Sequence, residues 1–322
     1  MGRKGWAWLI VGVLFVSLVV ILITKSDSLM SGNVMGGKQK WNEETVQGKG
    51  NDKVVQLFVE GAITEKSGSF SSGLNAGSYI TQLEQARKDK DVKAVVIRVN
   101  SPGGEVVASD EIHSKIVELK ESGKPVIVSM GSMAASGGYY ISAPADYIFA
   151  NPATLTGSLG VIFSIANYEK AAEWLGYKEN TITSGAYKDI ASPLREMKPE
   201  EREIFQKLVD ESYQQFVTVI EKGRKLPRET VLKLADGRIY SGQQAKALGL
   251  IDAFGTMEVA TAYASEKTGI PNPKVVRYVK EPSLSDLFSG AMIQSASPAA
   301  QVLQEVLPEV SIGPRLMYLF KY

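Results

Sequence analysis

Two glycine-marked turns hold the residues best suited to chemistry. Met133-Ala-Ala-Ser-Gly-Gly-Tyr-Tyr140 follows an apolar run and opens a helical pattern. Ser136 lies there among small side chains, so a substrate carbonyl has room to approach, and the N–H of Gly137 is placed to meet the same oxygen. This is the logic of a serine nucleophile on a sharp strand-to-helix turn, without the full Gly-x-Ser-x-Gly pattern. A serine that only caps a helix has the same local signature. The other turn is Asn100-Ser-Pro-Gly-Gly104. Its glycines bend tightly and expose N–H groups, and the helix that follows adds positive dipole character, which suits a developing oxyanion. A plain strand-to-helix turn reads the same way. Phosphate binding is disfavoured, since neither Gly-x-x-x-x-Gly-Lys nor Gly-x-Gly-x-x-Gly is present.

A serine nucleophile requires a base. His113 is the only histidine, and it falls mid-helix beside Ile112 and Ile116, a packing position. A carboxylate does not readily activate a serine unaided. The remaining option is a neutral lysine. An exposed lysine, with a pKa of about 10.4, is almost wholly protonated at neutral pH, so a lysine base must be desolvated. Lys188 ends the stretch Thr183-Ser-Gly-Ala-Tyr-Lys188, apart from charged runs such as Lys88 with Lys90 or Lys222 with Lys225. Its neighbour Asp189 counts against it, because a close carboxylate favours the ammonium form. Composition alone does not select the lysine.

The elements that must position these groups alternate. Val54–Val59, Ala94–Val99 and Pro125–Ser129 read as strands. Short strands follow near Tyr147–Ala150 and Gly160–Phe163. Amphipathic helices are expected over Gly77–Lys88, after Gly104 to about Glu121, and from Pro199, a favoured first helical residue. Short, almost wholly apolar strands between helices predict an α/β fold with a largely parallel sheet covered on both faces. From Trp6 to Thr24 no residue is charged, and these 19 positions predict a transmembrane helix. The organisation expected is residues 1–25 as N-terminal tail and anchor, 26–53 as a glycine-rich flexible linker, 54–280 as the folded domain, and 281–322 as a tail. Charge on the two sides of the anchor leaves its orientation open.

The chain of 322 residues carries 36 Lys plus Arg against 35 Asp plus Glu, a net charge of +1. That balance argues against a nucleic-acid binder. The absence of Cys excludes disulfides, thiolate metal sites and cysteine nucleophiles, and a single His excludes a multi-histidine metal site. No metal or cofactor is expected.

Five segments together resemble the signal peptide peptidase A family of Ser-Lys proteases, single-length bacterial type, relatives of the Clp protease and crotonase fold. They are Asn100–Gly104, Met133–Tyr140, Thr156–Gly160, Ser184–Lys188 and Gly237–Asp252, in the family's order across most of residues 54–265. The resemblance implies Ser136 as nucleophile and Lys188 as general base. It implies Gly103 and Gly137 as the oxyanion hole, and Ser158 as the residue that orients the lysine. It also implies a single-pass enzyme of the cell membrane with its catalytic domain outside the cytoplasm, degrading signal peptides and other hydrophobic peptides. Double-length relatives draw Ser and Lys from different halves, so a single-length chain is expected to form a ring-shaped homo-oligomer that shares its sites. Two rivals are an acyl-CoA enzyme of the crotonase type and a non-catalytic membrane scaffold. The apolar cluster Leu316–Phe320 is expected either to enter an active-site groove as inhibitor or substrate, or to rest on the domain surface or on lipid.

Overall fold

The computed structural model describes residues 41–65, 73–280 and 315–320. The expected membrane run at 6–24 lies outside them. Among the described residues no helix is long and apolar enough to cross a membrane.

Alternation sorts the valines and isoleucines of the central strands to two faces of one sheet. Strands β1 (Asn42–Gln47), β2 (Lys53–Glu60), β5 (Val92–Ser101), β7 (Val126–Ala135), β8 (Tyr147–Ala150), β12 (Ala253–Phe254) and β13 (Lys274–Val279) lie in the order β1-β13-β2-β5-β7-β8-β12. All neighbours along this path are parallel except β1, which runs antiparallel to β13. Val55, Leu57, Val95, Ile97 and Val128 pack against helices α1 (Ala76–Lys88) and α2 (Val106–Glu121), through Tyr79, Leu83, Ile112 and Ile116. The intervening Val54, Ala94, Val96 and Ile127 pack with Ala260 and Ala264. The mixed α/β fold and parallel order are as expected.

A smaller sheet sits beside the carboxyl ends of these strands. It comprises β3 (Ile63–Thr64), β4 (Leu74–Asn75), β6 (Gly103–Glu105), β10 (Ile162–Phe163) and β14 (Leu316–Leu319), in the order β10-β14-β6-β3-β4. Strands β9 (Leu155–Gly157) and β11 (Ile239–Ser241) extend the main sheet where β7 ends. The remaining helices are α3 (Gly137–Ser142), α4 (Glu169–Trp174), α5 (Pro199–Arg224), α6 (Arg228–Leu234), α7 (Gly242–Ala247) and α8 (Met257–Thr268). Pro199 opens α5 as expected, and Phe216, Val217 and Ile220 anchor its later turns in the core.

Two boundaries differ from expectation. The end of the expected linker is structured: β1 pairs with β13, and Trp41 staples the strand to α1. The Trp41 N–H donates to Gln85 Oε1 at 2.8 Å and its indole to Thr81 Oγ1 at 2.8 Å. Every residue of β1 is exposed, so this edge strand has no buried face to betray it in the sequence. The tail differs at Leu316–Leu319, which is a strand of the smaller sheet, while 281–314 lie outside the described residues.

Candidate active site

Ser136 is the hinge between β7 and α3. Its backbone has φ +50° and ψ −114°, a conformation strained for a side chain larger than glycine. The Ser136 N–H donates to Gly157 O at 2.8 Å, and its carbonyl accepts from Tyr140 N–H at 2.8 Å. The side chain makes no capping hydrogen bond to α3. Its hydroxyl is buried and has no hydrogen-bond partner among the described residues, with the residue only 1% exposed. A strained turn thus holds an uncommitted hydroxyl.

Gly137 and Gly103 adjoin beside it. A Cβ on Gly137 would stand 2.8 Å from Ser109 Oγ and 3.0 Å from Gly104 N. Gly103 has φ +98°, and a Cβ there would stand 2.6 Å from Gly137 N and 1.9 Å from Tyr318 O. Glycine is therefore required at both by close backbone approach. As the first residue of α3, Gly137 has no acceptor for its N–H within the helix. The Gly103 N–H donates to Ser101 Oγ at 3.1 Å.

Strand register brings in Ser158. β9 runs parallel to β7 with Ala135 opposite Gly157, so the next residues, Ser136 and Ser158, follow paired positions. Ser158 also has φ +50°, is almost buried, and donates its N–H to Arg238 O at 2.7 Å. Thr156 Oγ1 ties the two strands together by donating to Ala134 O at 2.6 Å.

The covering strand over this site is β14. It runs antiparallel to β6, with Tyr318 opposite Gly104 and Leu319 opposite Gly103, and antiparallel to β10 on its other side. Tyr318 is fully buried, stacked 4.8 Å from the ring of Tyr140 and tilted 4.7 Å from that of Phe216. An apolar segment thus lies extended against Gly103 and Gly104.

Lys188 belongs to a contrasting region. Its side chain is exposed, and its N–H closes a turn onto Gly185 O at 3.1 Å. Since Ser136 Oγ has no partner among the described residues, Lys188 is not bonded to it within this chain. Asp189 does not pair with Lys188: its carboxylate accepts from Arg195 Nε at 2.9 Å. Hydrogen bonding to Arg195 holds Asp189 below the usual carboxylate range. Around Lys188 the arm carries apolar side chains in water, with Ile182 99% and Trp174 85% exposed, and Leu175, Tyr177 and Tyr187 at least half exposed.

His113 packs its ring edge-on against Tyr140 at 5.2 Å between centroids, and burial lowers its pKa from the ordinary 6.5. It is not bonded to Ser136 either. Residues that the sequence did not single out complete the surroundings. Ser101 takes the Gly103 N–H, and Ser109 sets against Gly137 a buried hydroxyl with no partner among the described residues. Ser109 stands two turns' reach from Asn100–Gly104 in the chain, and its one signal was a small polar residue in an otherwise apolar helix face. Arg195 had none, because its charged surroundings read as a solvated face.

Residues 118–270 match peptidase family S49, and residues 51–156 match the Clp protease family. The putative signal peptide peptidase SppA of Enterococcus faecium is 39% identical over 287 residues, covering 84% of this chain and 83% of that protein. Protease 4 of Salmonella typhi is 37% identical over 258 residues, covering 79% of this chain and 41% of its own length. The chloroplastic serine protease SPPA of Arabidopsis thaliana is 36% identical over 284 residues, covering 86% of this chain and 41% of its own length.

Proposed function

The chain belongs to peptidase family S49, as a serine peptidase, and on that premise we propose that Ser136 is its nucleophile and Lys188 of a neighbouring copy its general base. The observation that carries the reading is the buried Ser136 hydroxyl, held on a strained turn beside Gly103 and Gly137 without a hydrogen-bond partner among the described residues. Lys188, meanwhile, is exposed on an arm whose apolar side chains are bare. A second copy of the chain answers both vacancies at once. It covers the arm, and the desolvation that follows favours the neutral amine a base must have.

The chemistry follows from these positions. The neutral Lys188 amine takes the proton of Ser136 as Oγ attacks the peptide carbonyl carbon. The negative charge that develops on the carbonyl oxygen is met by the N–H of Gly137, with the N–H of Gly103 turning to it from Ser101 Oγ. Lys188 ammonium protonates the departing amine, leaving an acyl ester on Ser136. Water then attacks that ester with Lys188 again as base, returning Ser136 its hydrogen. Ser158, brought to the end of β7 by strand register, holds the amine of the incoming lysine.

The class of substrate is suggested by β14. An extended peptide that pairs its backbone with β6 and places alternate apolar side chains into the domain is bound by strand addition. Hydrophobic peptides are therefore favoured, and cleaved signal peptides are of this kind. The reading extends to a ring-shaped homo-oligomer held at the cell membrane through the uncharged run at residues 6–24, with its catalytic domain outside the cytoplasm.

Mixing two inactive variants tests the shared site. Ser136→Ala and Lys188→Ala should each lower kcat/KM for a short apolar peptide by at least about 1,000-fold. A mixture should regain part of the activity, because one interface then combines an intact serine with an intact lysine. No recovery in mixtures shown to exchange subunits means that the site lies within one chain. Labelling by a serine-reactive fluorophosphonate, mapped to a residue other than Ser136, overturns the nucleophile.

A further inference from the structure

Lys188 is carried on a segment that has little packing of its own, so something must fix it. Between α4 and α5 the chain runs through exposed turns, and Ala191 takes a left-handed conformation at φ +66°. One side chain spans the gap to the rigid frame. The Arg195 guanidinium donates to Asp189 Oδ2 at 2.9 Å and to the Asp189 backbone carbonyl at 3.0 Å, one residue beyond Lys188. It also donates to both carboxylate oxygens of Glu201, at 3.0 and 2.5 Å. Glu201 is fully buried in the first turn of α5 and accepts the Lys198 N–H at 3.0 Å. The same helix ends in the core through Phe216, Val217 and Ile220.

We propose that Arg195 is a positioning residue for Lys188, clamping the lysine-bearing turn to α5 and keeping the Asp189 carboxylate away from the lysine amine. The inference rests on the reading of Lys188 as the base. It makes two separable claims. One is geometric: a fork that grips side chain, backbone and a buried carboxylate at once holds the turn in one orientation, as a compact ammonium does not. The other is electrostatic. Asp189, released from Arg195, lies next to Lys188 in sequence and stabilises its ammonium form. Lys198, at the start of α5, is the further charge that acts on both Asp189 and Glu201, and Arg195 also donates to the Glu196 backbone carbonyl at 2.9 Å.

The test measures kcat, KM and the pH profile on the full chain in its native oligomer. Arg195→Ala should lower kcat about 10- to 100-fold with KM within about threefold, since only the orientation of the base is lost. The pH at which activity reaches half its plateau should rise by about 0.5–1 unit. Adding Asp189→Asn to Arg195→Ala should bring that midpoint back to the parent's while kcat stays low. If Arg195→Ala does not fold, Arg195→Lys with and without Asp189→Asn gives the same comparison. Folded variants whose kcat and midpoint match the parent overturn the clamp, as does a loss that merely tracks a lower melting temperature or a broken oligomer. Lys188→Ala separates the two readings. If it stays active, the base assignment fails. If it is inactive while the Arg195 variants behave like the parent, only the clamp fails.

Discussion

The turn of Ser136 and the arm of Lys188 are built in opposite ways. Ser136 is gripped by three strands and two helices, with glycines where backbones touch and a hydroxyl shut away from water. The arm from Ser164 to Lys198 has one short helix, turns closed by single hydrogen bonds, and Ile182 almost wholly in solvent. The first region is finished by its own chain. The second leaves its apolar side chains bare, and its order draws on ties such as the Arg195 fork and the Tyr168 N–H donating to Pro193 O at 2.6 Å. Precision is thus assigned to the group that must be strained and aimed. Adaptability is left to the arm of Lys188, the group we propose meets a neighbouring copy.

One substitution made in both regions puts the largest number on that difference. Gly137→Ala drives a methyl group into Ser109 Oγ and the Gly104 amide, and it should lower kcat more than about 100-fold. Gly185→Ala meets nothing nearer than Lys188 Cγ at 4.0 Å, and its kcat should stay within about threefold of the parent. Equal losses from the two, measured on folded oligomers, would erase the distinction. The strand that bridges the regions gives the next effect. Removing residues 315–322 takes β14 out from between β6 and β10. It should lower KM for a short apolar peptide several-fold and also lower the melting temperature, because Tyr318 leaves a fully buried place. Unchanged kinetics would show that the strand does not compete for the groove.

The turn around Ser136 was legible because its constraints are local. A buried strand, small residues and paired glycines mark a place where backbones meet, whatever they later hold. The place of Ser158 beside the end of β7 was reached only through the family resemblance and not from local pattern, since it depends on how β9 registers against β7, some twenty residues apart. β14 was unreadable as a strand for the same reason: four residues at the far end of the chain acquire their role from pairing with β6. Trp41 and β1 escaped because an edge strand exposed on every residue shows no apolar alternation. Arg195 escaped because Leu194-Arg-Glu-Met-Lys198 carries the composition of solvated surface, and only the fold reveals that Glu201 is buried.

The smallest expected effect checks that histidine belongs to neither region's chemistry. Burial holds His113 below 6.5, so as pH falls the unfolded chain binds its proton first. Stability from this group is complete above pH 6.5 and declines as pH drops toward the depressed folded value. His113→Gln should leave kcat/KM within about twofold and flatten the fall in melting temperature between roughly pH 7 and 5. A large loss of activity in the folded variant would return His113 to the list of bases.

The left-handed twist at Ser136 also has an evolutionary price. A serine at φ +50° costs of order 1–3 kcal/mol against a relaxed backbone, and glycine would occupy the hinge with far less strain. Selection for thermostability alone would therefore push this position toward glycine, trading the proposed nucleophile for a sturdier scaffold. A serine kept there marks a chain whose hinge answers to turnover before durability.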